Sequence, residues 1–272
     1  MTELKEQKES TFITIGNGSP KVAVIGCLHG DEVIGARVIA ALKKLKLTRG
    51  SITFITAHPE AVAQRKRFIE KDMNRSFPGK KQGVLEERLA YALRPKLRGF
   101  DLVLDVHATN SNFDDLAIVV KFGARERAML KNIPLKRVAL MKESVFGKSS
   151  LIHHSSLGIS LDYGPDKTGK NAPRAIAHIK TILRNLGMLS GAQKKFLNKE
   201  LYLVSGAYAL PPQAKPNPRL KNFVQIKKGD TIASTGKTKL YSDKTFYPLF
   251  LGKGRYEKTL ALMASQKKNP RL

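Results

Sequence analysis

Tryptophan is absent from this chain, and cysteine occurs once, at Cys27. One thiol cannot build an internal disulfide framework, so the small, disulfide-stapled class of secreted fold is excluded. Cys27 falls inside an apolar run that reads as a buried strand, where a thiol acts as a small core residue. Aromatic residues make up 7% of the chain. None is interleaved with the basic runs, which weighs against a base-stacking platform for single-stranded nucleic acid. No apolar stretch approaches the roughly 20 residues that span a bilayer. The first ten residues are charged rather than a basic patch followed by an apolar segment, so no membrane segment and no signal peptide is expected, and the expected compartment is the cytoplasm. Acidic residues are also scarce, 22 against 49 Lys and Arg, for a formal net charge of +27. Such a field draws in anions from small dicarboxylates to nucleic acid. The basic residues are scattered, at Lys43-Lys44-Leu45-Lys46, Arg65-Lys66-Arg67, Lys80-Lys81, Lys194-Lys195 and Lys227-Lys228. Solvated faces are therefore expected rather than a dedicated nucleic-acid surface.

With 272 residues the chain is long enough for one large domain and a smaller one. From Lys21 to about Gly187, short β-branched runs alternate with longer helical periodicities, the pattern of an α/β unit with a mainly parallel sheet. Strands are expected at Phe12–Ile15, Val22–Cys27, Ser51–Thr56, Leu102–Val106, Ala117–Val120, Arg137–Met141 and Gly158–Tyr163. Helices are expected at Ala36–Leu45, Val84–Leu97 and Pro173–Leu186, with long loops at Pro59–Gly83 and Thr109–Asp115. After Leu189 the composition shifts. The stretch 209–218 carries four prolines and cannot form a regular interior element. The expected division is a catalytic α/β domain over 1–195 and a β-rich domain over 196–272.

Two clusters carry the chemistry. His29-Gly30-Asp31-Glu32 directly follows the apolar run from Val22 to Leu28, and Asp105-Val106-His107 follows Phe100 to Leu104. Two histidines and one glutamate just past two strands form the ligand set of an open catalytic zinc site, with water in the fourth position. At the carboxyl edges of a parallel sheet such side chains can converge. Gly30 permits a tight turn, and Asp31 or Asp105 is placed to accept from a ligand N–H. Between the clusters lies Asp72-Met73-Asn74-Arg75-Ser76-Phe77-Pro78-Gly79. An amide beside a planar guanidinium, Asn74 with Arg75, suits the grip of a carboxylate head group.

These motifs, in this order and with a C-terminal Tyr-Pro-Leu-Phe, resemble the succinylglutamate desuccinylase and aspartoacylase family, relatives of the zinc carboxypeptidases. The resemblance implies a zinc-carboxypeptidase-like α/β fold, with a mainly parallel mixed sheet flanked by helices and a smaller C-terminal β-rich domain. It implies one zinc ion per chain, bound by His29, Glu32 and His107, and hydrolysis of the amide of a small anionic N-acyl amino acid. It further implies that Arg67 polarises the scissile carbonyl, that Asn74 and Arg75 hold a substrate carboxylate, and that Tyr256 contacts substrate. Two positions depart from the family pattern. The family's general base is a Glu in a strand followed by Gly-Pro, whereas this chain has Asp162 in Leu161-Asp162-Tyr163-Gly164-Pro165, one methylene shorter. A substrate-binding Arg is expected about ten residues earlier, yet Ser149-Ser150-Leu151-Ile152-His153-His154 has none, so that either His153 or His154 substitutes as the anion donor or the substrate differs. Three other readings stay open: a metallocarboxypeptidase, a metal-binding relative weakened by Asp162, and a nucleic-acid binder on a borrowed enzyme fold.

Overall fold

Short β-branched runs become strands and longer apolar periodicities become helices in the order the sequence predicts. In chain order the elements are β1 (Thr11–Asn17), β2 (Lys21–Gly26), α1 (Val33–Leu42), β3 (Gly50–Thr56), α2 (Pro59–Gln64) and α3 (Leu85–Leu97). There follow β4 (Leu102–Ala108), β5 (Asp115–Val119), α4 (Ala124–Leu130), β6 (Arg137–Met141), β7 (Gly158–Tyr163) and α5 (Ala172–Asn185). The rest is β8 (Glu200–Ala209), β9 (Lys215–Pro216), β10 (Thr231–Thr235), β11 (Thr238–Tyr241), β12 (Tyr247–Leu249) and β13 (Thr259–Lys268). The protein is seen in a computed structural model that describes residues 9–141, 147–252, 259–268 and 270–272.

Ten strands form one mixed sheet in the order β1-β3-β2-β4-β7-β5-β6-β8-β13-β12, and β11-β10-β9 form a small antiparallel sheet near the C-terminus. The β3-β2-β4-β7 centre is parallel, while β1 runs antiparallel to β3 and β5 antiparallel to β7. This is the expected mixed, mostly parallel sheet flanked by helices. The chain beyond residue 195 divides its strands: β8, β12 and β13 extend the large sheet and β9 to β11 form the small one.

The pleat sorts the side chains of the central strands onto opposite faces. Val22, Val24, Leu104, Val106, Ile159 and Leu161 join α1 and α5 in the larger core, while Ala23, Ile25 and Val103 pack against α3. Asp105 and His107 follow Val103 on the second face. The polar site thus grows from the strands' carboxyl ends on the side covered by α3. The approach of α1 to this edge is close, since a Cβ on Gly26 would lie 2.8 Å from the Gly35 Cα. That contact carries the turn 27–32 onto the sheet edge.

Several local expectations shift. α1 starts three residues earlier than the apolar pattern indicates, because Glu32 is its N-cap. The segment 59–83, read as one long loop, holds α2, which starts at Pro59 and is capped by His58 accepting from the Ala61 N–H. Cys27 lies just past β2 rather than within it, in a left-handed conformation with φ 59°. It is nonetheless buried, and burial, reinforced by the nearby Glu32, pushes its thiol up to about 12.

Lys199, just before β8, is a fully buried cation. Its Nζ donates to the carbonyls of Ile133 at 2.5 Å and Leu135 at 2.7 Å, and burial lowers its pKa to about 8. Between that value and the ordinary lysine range, the unfolded chain binds the extra proton and the folded chain does not, so stability rises with pH across this window. Relative to Lys199→Met, the wild-type protein should gain about 2 kcal/mol between pH 8 and pH 10. Paired urea titrations at the two pH values measure the change, and a pH-independent difference contradicts it.

Candidate metal centre and active site

Glu32 lies at the junction of the turn after β2 and the start of α1, 6% exposed. Its Oε1 is 2.7 Å from His29 Nδ1 and its Oε2 is 2.9 Å from His107 Nδ1. Oε2 also accepts from the Ala108 backbone N–H at 2.9 Å. His29 comes from the turn, His107 from the end of β4, and their ring centroids are 5.1 Å apart. Ligand atoms from His29, Glu32 and His107 all lie within 4.8 Å of one another, so the three residues could hold one metal ion. His107 stands inside the strand rather than after it.

The outer nitrogens explain how the rings are aimed. His29 Nε2 is 3.0 Å from Asp72 Oδ1, and His107 Nε2 is 2.7 Å from Asp105 Oδ2. A neutral imidazole has one N–H and one lone pair. If each outer N–H goes to its carboxylate, both inner Nδ1 lone pairs face oxygens of Glu32, acceptor against acceptor. Two imidazolium rings or one shared cation satisfies this arrangement, and the cation does so without confining two charged rings. A tetrahedral ion with bonds near 2.1 Å spaces its ligands by about 3.4 Å, so a small widening of the present contacts admits one. The donor set fits a divalent metal of borderline softness.

The electrostatics follow from these contacts. Burial alone would raise the Glu32 carboxyl, but the charges and hydrogen bonds of His29 and His107 hold it well below the usual carboxylate range. Burial would likewise lower His107, whereas Asp105 and Glu32 hold it well above the ordinary histidine value. Asp72 is depressed, against its own burial, by His29 and Arg67.

Of the two expected supporting acids, Asp105 takes that place and Asp31 does not. Asp31 is exposed, and both ring nitrogens of His29 are already engaged by Glu32 and Asp72. Asp72, at the head of the Asp72–Gly79 stretch, supports His29 instead. It also accepts from the Asn74 N–H at 2.9 Å, which pins the 3-10 turn Met73–Arg75.

Arg67 donates to Glu32 Oε1 at 3.1 Å and to Asp72 Oδ2 at 3.2 Å, so it stands directly beside the ligand group. Its loop is held in two ways. Gly30 N–H donates to the Arg67 carbonyl at 3.3 Å, and a Cβ on Gly30 would lie 2.1 Å from the Ala61 carbonyl carbon, an approach only glycine permits. From the other side, buried Glu86 of α3 accepts from the Ile69 and Glu70 N–H groups and pairs with His58 Nε2 at 3.0 Å. Glu70 returns the contact by accepting from the Leu85 N–H. This His58–Glu86 staple was not foreseen, because Glu86 reads as an ordinary acid in a helix's first turn.

Asp162 is the strand neighbour of His107: the two are register partners in the parallel β4–β7 pair. Register partners share a face, so the Asp162 carboxylate stands one strand from the ligand group, 1% exposed and accepting from Ser160 Oγ at 3.1 Å. Asn74 spends its Oδ1 on the Leu151 N–H at 3.0 Å, tying the turn to 151–154, and the Arg75 guanidinium donates to the Asn74 carbonyl at 2.8 Å. Arg75 also lies near enough to Asp72 to lower its pKa. His154 stacks on Phe77 and places its Nε2 2.9 Å from the Lys148 carbonyl, with His153 edge-on to it. Tyr256 lies outside the described residues. A cavity of about 690 Å³ opens beside Glu32 and Arg67, with Arg65, Lys167, Val33 and Phe250 in its walls.

Fold and site together define an α/β protein with a three-residue candidate metal centre at the carboxyl ends of its central strands. The chain belongs to the succinylglutamate desuccinylase/aspartoacylase family, whose catalytic-domain profile matches residues 18–180. It is 27% identical to an N-acyl-aromatic-L-amino acid amidohydrolase (carboxylate-forming) of Xenopus laevis, with 92% of this chain and 95% of that protein covered. It is 25% identical to a protein of Nostoc sp. named as a probable aspartoacylase, with 91% and 96% covered. Among solved structures, murine aminoacylase 3 superposes with a TM-score of 0.77 at 22% identity, covering 93% of this chain and 97% of that one. That likeness extends the shared fold across the C-terminal strands.

Orientation of His29 by Asp72 has a measurable consequence. Replacing a carboxylate that holds a metal-ligating histidine costs roughly 10- to 100-fold in metal affinity. Asp72→Ala should show such a loss in competition with a chromophoric chelator, and Asp31→Ala should bind as wild type. Equal affinities in the two variants would remove Asp72 from the ligand support.

Proposed function

We propose that this protein is a zinc-dependent amidohydrolase that removes the acyl group from a small anionic N-acyl amino acid. The observation that carries the reading is the convergence of His29, Glu32 and His107 on one point, with Arg67 in contact and Asp162 on the adjacent strand. Family membership supplies the reaction class, and the relatives named above are amidohydrolases or aspartoacylases by name.

Zinc bound by the three ligands would supply a Lewis acid for the scissile carbonyl and lower the pKa of a nearby water. Asp162 is the general base in this reading. It takes a proton from the attacking water on a carboxylate oxygen and returns it to the departing amine nitrogen. Arg67 donates to the oxygen on which negative charge develops, and its two acidic partners keep it charged and fixed. Asn74 and Arg75 hold the substrate carboxylate, and Tyr256 contacts the substrate. The shorter reach of Asp162, roughly 1.5 Å less than a glutamate, is the main restraint on rate, since misplacement by about 1 Å can cost on the order of a hundredfold. No helix among the described residues is long and apolar enough to cross a membrane.

A second reading differs only in the side chain accepted. Apolar walls from Val33, Val62, Phe250 and Leu251 line the cavity along with Arg65, Arg67 and Lys167, and several relatives carry the name N-acyl-aromatic-L-amino acid amidohydrolase. The experiment compares N-acyl aspartates and glutamates, N-acyl aromatic amino acids and short peptides on wild-type, Asp162→Glu and Asp162→Ala proteins. Acidic substrates should turn over, chelation should abolish activity and added zinc should restore it. Asp162→Ala should lose at least about a hundredfold. Turnover of the aromatic set alone selects the second reading. Turnover of peptides alone, or equal rates in all three proteins, overturns the proposal.

A further inference from the structure

We propose that Asn222 and Ser111 are positioning residues for the substrate: they clip the segment after β12 to the loop after β4 and so set the uncharged wall of the cavity beside the candidate metal centre. Three stretches distant in sequence meet in one closed ring of hydrogen bonds. Ser111 Oγ donates to the Leu251 carbonyl at 2.9 Å, the Leu251 N–H donates to Asn222 Oδ1 at 2.8 Å, and Asn222 Nδ2 donates to Ser111 Oγ at 3.0 Å. Asn222 Nδ2 also donates to the Asn112 carbonyl at 3.0 Å. The partners fix the orientation of this amide, because a backbone N–H needs an oxygen opposite it and a carbonyl needs an N–H. Asn222, between β9 and β10, thus holds both of the other stretches with one side chain. Side chains, rather than a neighbouring strand, take both backbone groups of Leu251.

The joints on either side of the ring are strained. Phe250, just before Leu251, and Phe223, just after Asn222, have left-handed backbones with φ 55° and 64°. Bulky residues rarely adopt that conformation and keep it only where their surroundings over-determine it. Here Phe113, from the same loop as Ser111, stands edge-on to both rings at 5.6 Å. The Phe223 N–H donates to the Pro248 carbonyl at 2.9 Å, which ties the Asn222 stretch to β12 as well. Aromatic contacts therefore hold the two joints, and the Asn222–Ser111 ring fixes the backbone beside them.

The clip bears directly on the cavity. Residues 109–111 and 250–252 all line it, and none of the six carries a charged side chain, whereas Arg65, Arg67 and Lys167 belong to the rest of the lining. In the hydrolase reading, on which this role depends, the anionic end of the substrate belongs with those cations and its uncharged remainder with the clipped wall. The ligand group is fixed independently, His29 by Asp72 and His107 by Asp105. Loosening the clip should therefore weaken the grip on substrate and leave the metal centre as it is.

The test uses metal-loaded wild type, Asn222→Ala, Ser111→Ala and the double variant. Each single variant should raise KM for an N-acyl amino acid roughly tenfold and keep kcat within about threefold, the pattern of binding lost equally from ground and transition states. Because the ring acts as a unit, the double variant should stay within about twofold of the weaker single one. Competition with a chelator should give all four proteins the same metal affinity, which separates a displaced wall from a damaged centre. Hydrogen exchange reads the clip without any substrate: Ser111→Ala should speed exchange at the Leu251 amide, 140 positions away. An unchanged KM, metal affinity lost in step with activity, losses that multiply in the double variant, or unaltered exchange at Leu251 would each overturn the proposal. Wild-type protein that hydrolyses no N-acyl amino acid overturns the hydrolase reading instead, and the exchange measurement then decides the clip alone.

Discussion

A buried carboxylate can be kept ionised only if its neighbours replace the water it has lost, and Glu32 is the group around which this protein does so. Its two oxygens face two imidazole nitrogens, one backbone N–H and one guanidinium. Two further carboxylates, Asp72 and Asp105, stand behind the imidazoles. Three carboxylates outnumber the guanidinium of Arg67, even with Arg75 near Asp72, when both rings are neutral. A buried carboxylate left unpaired costs several kcal/mol. One divalent cation where His29, Glu32 and His107 meet would offset the excess. Charge, geometry and family membership are thus compatible with a metal ion at this centre.

The sheet order makes that meeting possible. β2, β4 and β7 are neighbours in the sheet although they are distant in sequence, so their carboxyl ends bring the turn 27–32, His107 and Asp162 to one edge. α1 contributes through Glu32 at its N-cap, and the close packing of Gly26 on Gly35 holds that helix against the edge. The loop bearing Arg67 and Asp72 belongs to no strand. It is clamped by Gly30 against α2 on one side and by the Glu86–His58 staple on the other. A helix more than ten residues away in sequence thus governs where Arg67 stands.

What could be read from the sequence was what local pattern encodes. The short, mostly apolar runs Val22 to Gly26, Leu102 to Val106 and Gly158 to Tyr163 mark strands because both faces of each are buried, and the His and Glu beyond them keep their chemistry in any fold. Pairing is not local, and it escaped that reading. Nothing in residues 200–209 or 259–268 announces that they rejoin the large sheet, since their alternation serves a small β-domain equally well. Asp72 was hidden for a similar reason. Its neighbours Asn74 and Arg75 advertise carboxylate binding, whereas its own bond to His29 spans 43 positions and forms only after folding.

The large positive charge and the negative centre act over different distances. At physiological salt a charge is felt over about 8 Å, so an approaching substrate meets first the surface cations and only at contact the buried carboxylates. Arg65, Arg67 and Lys167 line the cavity where these two regimes join. Arg67 belongs to both: about a third of its side chain is exposed while its guanidinium is locked to Glu32 and Asp72. Any anion drawn inward by the overall field would thus meet a cation already held by Glu32 and Asp72. Steering raises the encounter rate without adding to the discrimination between substrates, which falls to the shape and apolar walls of the cavity.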